Sequence, residues 1–234
     1  MHHKNKALII STVELSGPKQ MEIDLSLLNK TNLDKEIMFT LRFYLWEGNW
    51  ISIGFHQKNI PEHWLELSKN GLLNIVRRPS GGGAVLHCGG ITYALTFTKP
   101  EYKIFSYQKI NQWLIKSFSD LGIKLQNGTI KKTLIKENCF GTCYVNDLID
   151  QNGFKRIGSA QFWKERSFLQ HGEILINPPN DLWFNIFQKN APPPLQIELN
   201  NLELIDYLKN SFLKNYADES IKNLFLSYDE FINY

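Results

Sequence analysis

Cysteine is scarce in this chain: Cys88, Cys139 and Cys143 are the three among 234 residues. So few, and an odd number, give no disulfide framework and suit a reduced, cytoplasmic setting. Cys139 and Cys143 are spaced CxxxC, but no second Cys or His pair stands nearby to close a tetrahedral site, so no metal is expected. Long apolar runs are missing as well. The run at residues 7–10 is too short for a signal-peptide core, and nothing approaches the ~20 residues of a membrane-spanning helix. Excess charge is equally rare. Twenty-six basic against 23 acidic residues leave +3, without the clustering that nucleic-acid binding requires. Neither nucleic acid nor a membrane is an expected partner.

What is present can fill a sizeable core: 43% of residues are apolar and 13% aromatic. Apolar residues at 21, 25 and 28 have helical spacing, as do Ile110, Trp113, Leu114, Phe118 and Leu121. Around a Gly-Asn turn, Leu41, Phe43 and Leu45 followed by Ile51, Ile53 and Phe55 predict one face of a β-hairpin. Further strands are expected at 74–87, 91–97, 144–149, 157–163 and 170–176, with Asn152-Gly153 as a hairpin turn. Residues 202–231 read as two amphipathic helices. The expectation is an α+β chain, residues 1–234 forming one domain with a helical tail from about 198 to 234.

The segment "RRPSGGGAVLH" carries the strongest local signal. It is not a Walker A loop, and a GxGxxG pattern fails at Leu86. Each glycine costs about 0.5–1 kcal/mol of backbone entropy, which is acceptable where a ligand must lie against the main chain. Arg77 and Arg78 bring forked donors suited to carboxylate, carbonyl or phosphate oxygens. Arg77 is placed with the ligand-facing residues, although alternation lets only one of the pair face a site and leaves the choice open.

Together with "KRIGSAQ" and "LQHGEILI", this segment resembles the lipoate/biotin protein ligase superfamily, in its lipoate-ligase and octanoyltransferase branches. "MEIDLSLL", "LRFYLWEGNWISIGFHQ" and "ITYAL" resemble the family's blocks in the same order, from about Met21 to Ile176. The resemblance implies a mostly antiparallel or mixed central sheet flanked by helices, like class II aminoacyl-tRNA synthetases and biotin-lipoate ligases. It implies transfer of an octanoyl or lipoyl group to a lysine on a lipoyl carrier domain. It also implies substrate-binding roles for Arg77, Ser80, Gly81, Gly82, Gly83, His87, Gly158, Ser159, Ala160 and His171, with Phe43, Tyr44, Trp46 and Phe97 lining an apolar channel.

Two branches differ in chemistry. "NCFGTCYVNDLI" resembles the Cys-Phe block of cysteine-dependent octanoyltransferases, which implies Cys139 as nucleophile, Lys155 as its catalytic partner and acyl carrier protein as donor, without a cofactor. A thiol needs its pKa lowered from about 8.5, which a nearby ammonium accomplishes. The ligase branch implies ATP and Mg instead. Gly83, where these transferases commonly carry arginine, points that way. Too few residues follow Pro178 for the accessory domain of bacterial ligases, and this favours the transferase. A third reading, of another class, is a lipoyl- or carrier-domain-binding protein without turnover.

Overall fold

The computed structural model describes residues 5–98, 103–128, 145–217 and 219–234. The chain opens with β1 (Asn5–Leu15), crosses over through α1 (Gly17–Leu33) and returns as β2 (Ile37–Trp46), parallel to β1. Parallel neighbours require such a crossover, and the apolar side of α1 supplies the covering layer. Next come β3 (Trp50–Ile53), α2 (Glu62–Lys69), β4 (Asn74–Arg77) and β5 (Val85–His87). After β6 (Gly90–Thr98) follow α3 (Lys103–Asp120), β7 (Leu125–Asn127), β8 (Leu148–Asp150), β9 (Lys155–Lys164) and β10 (Ser167–Leu175). The remainder is α4 (Asn180–Phe187), α5 (Asn201–Tyr216), β11 (Ile221–Leu226) and α6 (Tyr228–Asn233).

Eight strands form a mixed sheet in the order β11-β1-β2-β6-β10-β9-β8-β7, while β4-β3-β5 form a second sheet. One face of the large sheet packs Phe39, Leu41, Phe43, Tyr93 and Leu95 against Trp113 and Phe118 of α3 and Phe212 of α5. The other face takes α1 and α6: Ile23, Leu27 and Phe231 close over Leu8, Ile10 and Ile37. The small sheet has its own core, in which Ile51, Ile53 and Leu86 meet Trp64 of α2 and Trp183 of α4. This is the expected α+β architecture.

Three local expectations change. β2 and β3 are not a hairpin: β2 pairs with β1 and β6, whereas β3 pairs with β4 and β5. Alternation identifies which residues share a face but not which strand lies alongside. Phe55 lies past the end of β3 and is exposed. In the C-terminal stretch a strand, β11, separates the two helices and extends the large sheet beside β1. The strand expected at 144–149 begins only at Leu148 among the described residues.

β10 sits inside the sheet, between β6 and β9, and is buried along its whole length. It nevertheless carries Gln170, His171 and Glu173. Polar side chains in such a strand must find partners. Those partners build the site.

Candidate active site

A cavity of about 390 Å3 opens where the small sheet meets β9 and β10. Met21, Tyr44, Trp46 and Val85 give it an apolar side, and the loop at Gly81 and Gly82 forms a rim. Gly158, Ser159, Ala160 and Gln161 of β9 and His171, Gly172 and Glu173 of β10 form the opposite wall, with Asp147 at one end.

Arg78 organises the glycine loop. Its Nε donates to Ser80 Oγ (3.2 Å), Nη1 to the Ser52 carbonyl (2.9 Å) and Ser52 Oγ (3.2 Å), and Nη2 to the carbonyls of Gly81 and Gly83 (both 2.7 Å). The loop therefore wraps around the chain's own guanidinium. Gly82 has φ +95°, and a Cβ there would come within 3.0 Å of Arg78 Nη2. That close approach and the left-handed backbone explain the middle glycine.

Two carboxylate–histidine–serine chains end on this arginine. In the first, Asp24 Oδ2 accepts from His171 Nδ1 (2.9 Å) and from Tyr44 OH (3.1 Å), and His171 Nε2 meets Ser80 Oγ (2.5 Å). In the second, Glu173 Oε2 accepts from His87 Nδ1 (2.8 Å) and Thr92 Oγ1 (2.5 Å), and His87 Nε2 meets Ser52 Oγ (2.8 Å). A guanidinium only donates, so both serine oxygens accept from Arg78 and both serine protons turn to the imidazoles. His87 also stacks on Trp46 with ring centroids 3.9 Å apart. Burial pushes its pKa below the ordinary histidine range, although Glu173 opposes the shift.

On the opposite wall, Lys155 Nζ lies 2.8 Å from Asp147 Oδ2, and both side chains are buried. The β8–β9 register shifts between Leu148 and Ile149, so Ile149 pairs with Lys155, the first residue of β9. Asp147 lines the cavity, and Lys155 stands directly behind it.

Of the residues expected from sequence, Gly81, Gly82, His87, Gly158, Ser159, Ala160 and His171 line this one cavity. Ser80 is buried one layer behind, between Arg78 and His171. Arg77 does not line it. Its Nη1 reaches the carbonyls of Gly54 (2.8 Å), Phe55 (3.1 Å) and Gln57 (2.8 Å) on the outer side. Successive side chains of an extended segment point oppositely, so Arg78 takes the inner position. Gly83 contributes its carbonyl to Arg78 without lining the cavity. Tyr44 and Trp46 line it as expected, whereas Phe43 and Phe97 pack in the main core. Cys139 lies outside the described residues, as does Cys143. Cys88 is half-buried, hydrogen-bonds Asn49 Oδ1 (3.2 Å) and has its pKa raised by burial.

The chain from residue 17 to 207 matches the family described as the lipoyl protein ligase A/B catalytic domain. It belongs to that family. Among its relatives is an octanoyltransferase LipM of Brevibacillus brevis, 32% identical over 190 residues, covering 76% of this chain and 68% of the relative. The LipM octanoyltransferase of Clostridioides difficile is 33% identical over 163 residues, covering 65% and 59%. The chain thus spans roughly three fifths to two thirds of these relatives' own length. Among solved structures, a lipoate protein ligase of T. acidophilum with bound lipoic acid superposes with a TM-score of 0.75 at 20% identity, covering 98% and 92%. Lipoate-protein ligase A bound with ATP gives 0.73, also at 20% identity, covering 98% and 91%. The fold is that of the lipoate-protein ligases.

Several site residues escaped the sequence reading: Asp24, Ser52, Thr92, Asp147, Gln170 and Glu173. Two had left a signal. Positions 21, 24 and 28 share a helix face, which puts an acid on the apolar side of α1. Positions 171 and 173 share a strand face, which puts Glu173 beside His171.

Proposed function

We propose that this chain moves an octanoyl or lipoyl group onto a lysine of a lipoyl carrier domain through a thioester on Cys139. The observation that carries the reading is the meeting, on one cavity, of the Arg78 loop with the Asp147–Lys155 pair, in a family whose LipM members are octanoyltransferases. The cavity falls within the range that holds small ligands, ~300–1,000 Å3. Its apolar side suits an acyl tail, whose burial contributes about 0.8 kcal/mol per CH2.

In the first half-reaction the Cys139 thiolate attacks the carbonyl carbon of an octanoyl thioester, carried in our reading by acyl carrier protein. The new C–S bond forms, the bond to the donor's sulfur breaks, and that sulfur leaves as a thiolate and takes up a proton. In the second, the carrier-domain lysine amine attacks the enzyme thioester, loses a proton and expels the Cys139 thiolate. Lys155 supplies positive charge that lowers the thiol pKa, and as an ammonium it relays the proton, giving one to the departing Cys139 sulfur as it takes one from the attacking amine. Asp147 holds that ammonium in place. This chemistry uses no cofactor.

Intact mass after incubation with octanoyl carrier protein should show one added octanoyl group on the wild type and none on Cys139→Ser. A second reading is ATP-dependent ligation of free lipoate, favoured by Gly83 at a position where the transferases commonly carry arginine. Wild type without an acyl adduct that turns over lipoate with ATP and Mg would establish it in place of the first.

A further inference from the structure

A third chain of hydrogen bonds links β9, β10 and β6 and ends at Ser159 in the cavity wall. Trp163 Nε1 donates to Gln161 Oε1 (3.1 Å), Gln161 Nε2 to Gln170 Oε1 (2.7 Å) and Gln170 Nε2 to Tyr93 OH (2.9 Å), and Tyr93 OH lies 2.7 Å from Ser159 Oγ. An indole nitrogen can only donate. The Gln161 atom facing it must therefore be the oxygen, which leaves the amide nitrogen for Gln170. The same step repeats at Gln170, whose nitrogen turns to Tyr93. One donor-only group at the start fixes the direction of every link.

At Tyr93 the oxygen already accepts from Gln170. Among the described residues its remaining neighbour is Ser159, and the phenol is completely buried. A buried O–H without an acceptor is strongly unfavourable, so the phenol donates to Ser159 Oγ. Burial pushes the Tyr93 pKa up to about 12, which keeps that proton in place. Ser159 then accepts within the protein and has its own proton left over. Ser159 lines the cavity. Gly172, paired across from both Ser159 and Tyr93, permits this contact: a Cβ there would come within 2.7 Å of Ser159 Oγ and of Tyr93 Cε1.

We propose that Trp163, Gln161, Gln170 and Tyr93 form a one-way hydrogen-bond chain that makes Ser159 an obligate donor into the cavity, aimed at the carbonyl oxygen of the acyl group. Ser159 touches the ligand, and the other four are positioning residues. The acyl-transfer reading supplies only the identity of that ligand. The donor itself follows from the bond directions.

Octanamide, an unreactive eight-carbon carbonyl compound, tests the inference by calorimetric binding, with thermal unfolding recorded for each variant. Ser159→Ala should weaken binding about tenfold, one hydrogen bond's worth. Tyr93→Phe should weaken it about threefold, because Ser159 is freed to turn away, and should add nothing in the Ser159→Ala background. Trp163→Phe, which keeps an aromatic ring stacked on Phe168, should weaken it about twofold. Additive losses from Ser159→Ala and Tyr93→Phe, unchanged affinity in Ser159→Ala, or no octanamide binding by the wild type would each overturn the proposal. Acyl transfer is assayed in parallel. Wild type that shows this binding pattern but transfers no acyl group would defeat the transfer reading while leaving the donor chain established.

Discussion

Toward the glycine loop, two carboxylates, one on α1 and one on β10, act through two histidines and two serines, and both chains end on the guanidinium of Arg78. On the β9–β10 wall, four neutral side chains end on the Ser159 hydroxyl, and an ion pair, Lys155 with Asp147, stands beside them. The difference lies in what each network leaves for a ligand. Every N–H of Arg78 is already matched to a protein acceptor, so that wall spends its donors on its own shape. In the proposed reaction the opposite wall delivers a proton outward and carries the ammonium that takes part in the transfer. One wall is a mould, and the other is proposed to supply the reactive groups.

The largest effect expected from breaking this contrast comes from the ion pair. Lys155→Met removes the ammonium from a buried carboxylate and should destabilise the protein by about 3–5 kcal/mol in denaturant titration, with acyl transfer abolished. Adding Asp147→Asn should restore most of the stability but none of the transfer. Recovery of transfer in the double variant would show that the pair shapes the site without acting in it.

Arg78→Lys comes next. A lysine ammonium cannot match the fork, so acceptors among Ser52, Ser80, Gly81 and Gly83 lose their donors. Stability should fall by about 2 kcal/mol and transfer by at least tenfold. Arg77→Lys should cost about 1 kcal/mol or less and leave transfer near wild type, since that side chain is exposed and braces the outer turn. Equal losses from the two arginine variants would remove the distinction between mould and surface brace.

The gentlest test is acidification. The His87 pKa lies below its value in the unfolded chain, about 6.5, so the unfolded state takes up protons first as pH falls. Stability contributed by the neutral ring is present above that value and declines as pH drops toward the folded-state pKa. Denaturant midpoints at pH 7.5 and 5.5 should differ more for the wild type than for His87→Gln.

Much of this contrast was legible in the sequence, but unevenly. The glycine run announced itself by its composition, whereas Lys155 and the stretch from Gly158 to Ala160 stood out through the resemblance of "KRIGSAQ" to a family block. The carboxylates did not. Asp24 and Glu173 look like ordinary surface acids until periodicity places them on buried faces, and Ser52 and Thr92 are common in any strand. The Trp163–Ser159 chain joins residues from three strands whose adjacency depends on sheet order, which alternation does not specify. The same limit produced the false hairpin between β2 and β3. It also hid β11, whose neighbour β1 lies at the other end of the chain.

That last pairing bears on how the sheet is closed. Among the described strands, the one holding Asn5 to Ile10 comes first in the chain, yet its outer neighbour, Ile221 to Leu226, follows all the others. Until Ile221 to Leu226 docks, that rim of the sheet has amides and carbonyls open to any extended peptide. Once docked, the closing strand occupies the edge at which one copy could otherwise add to another, quite apart from anything it contributes to the cavity.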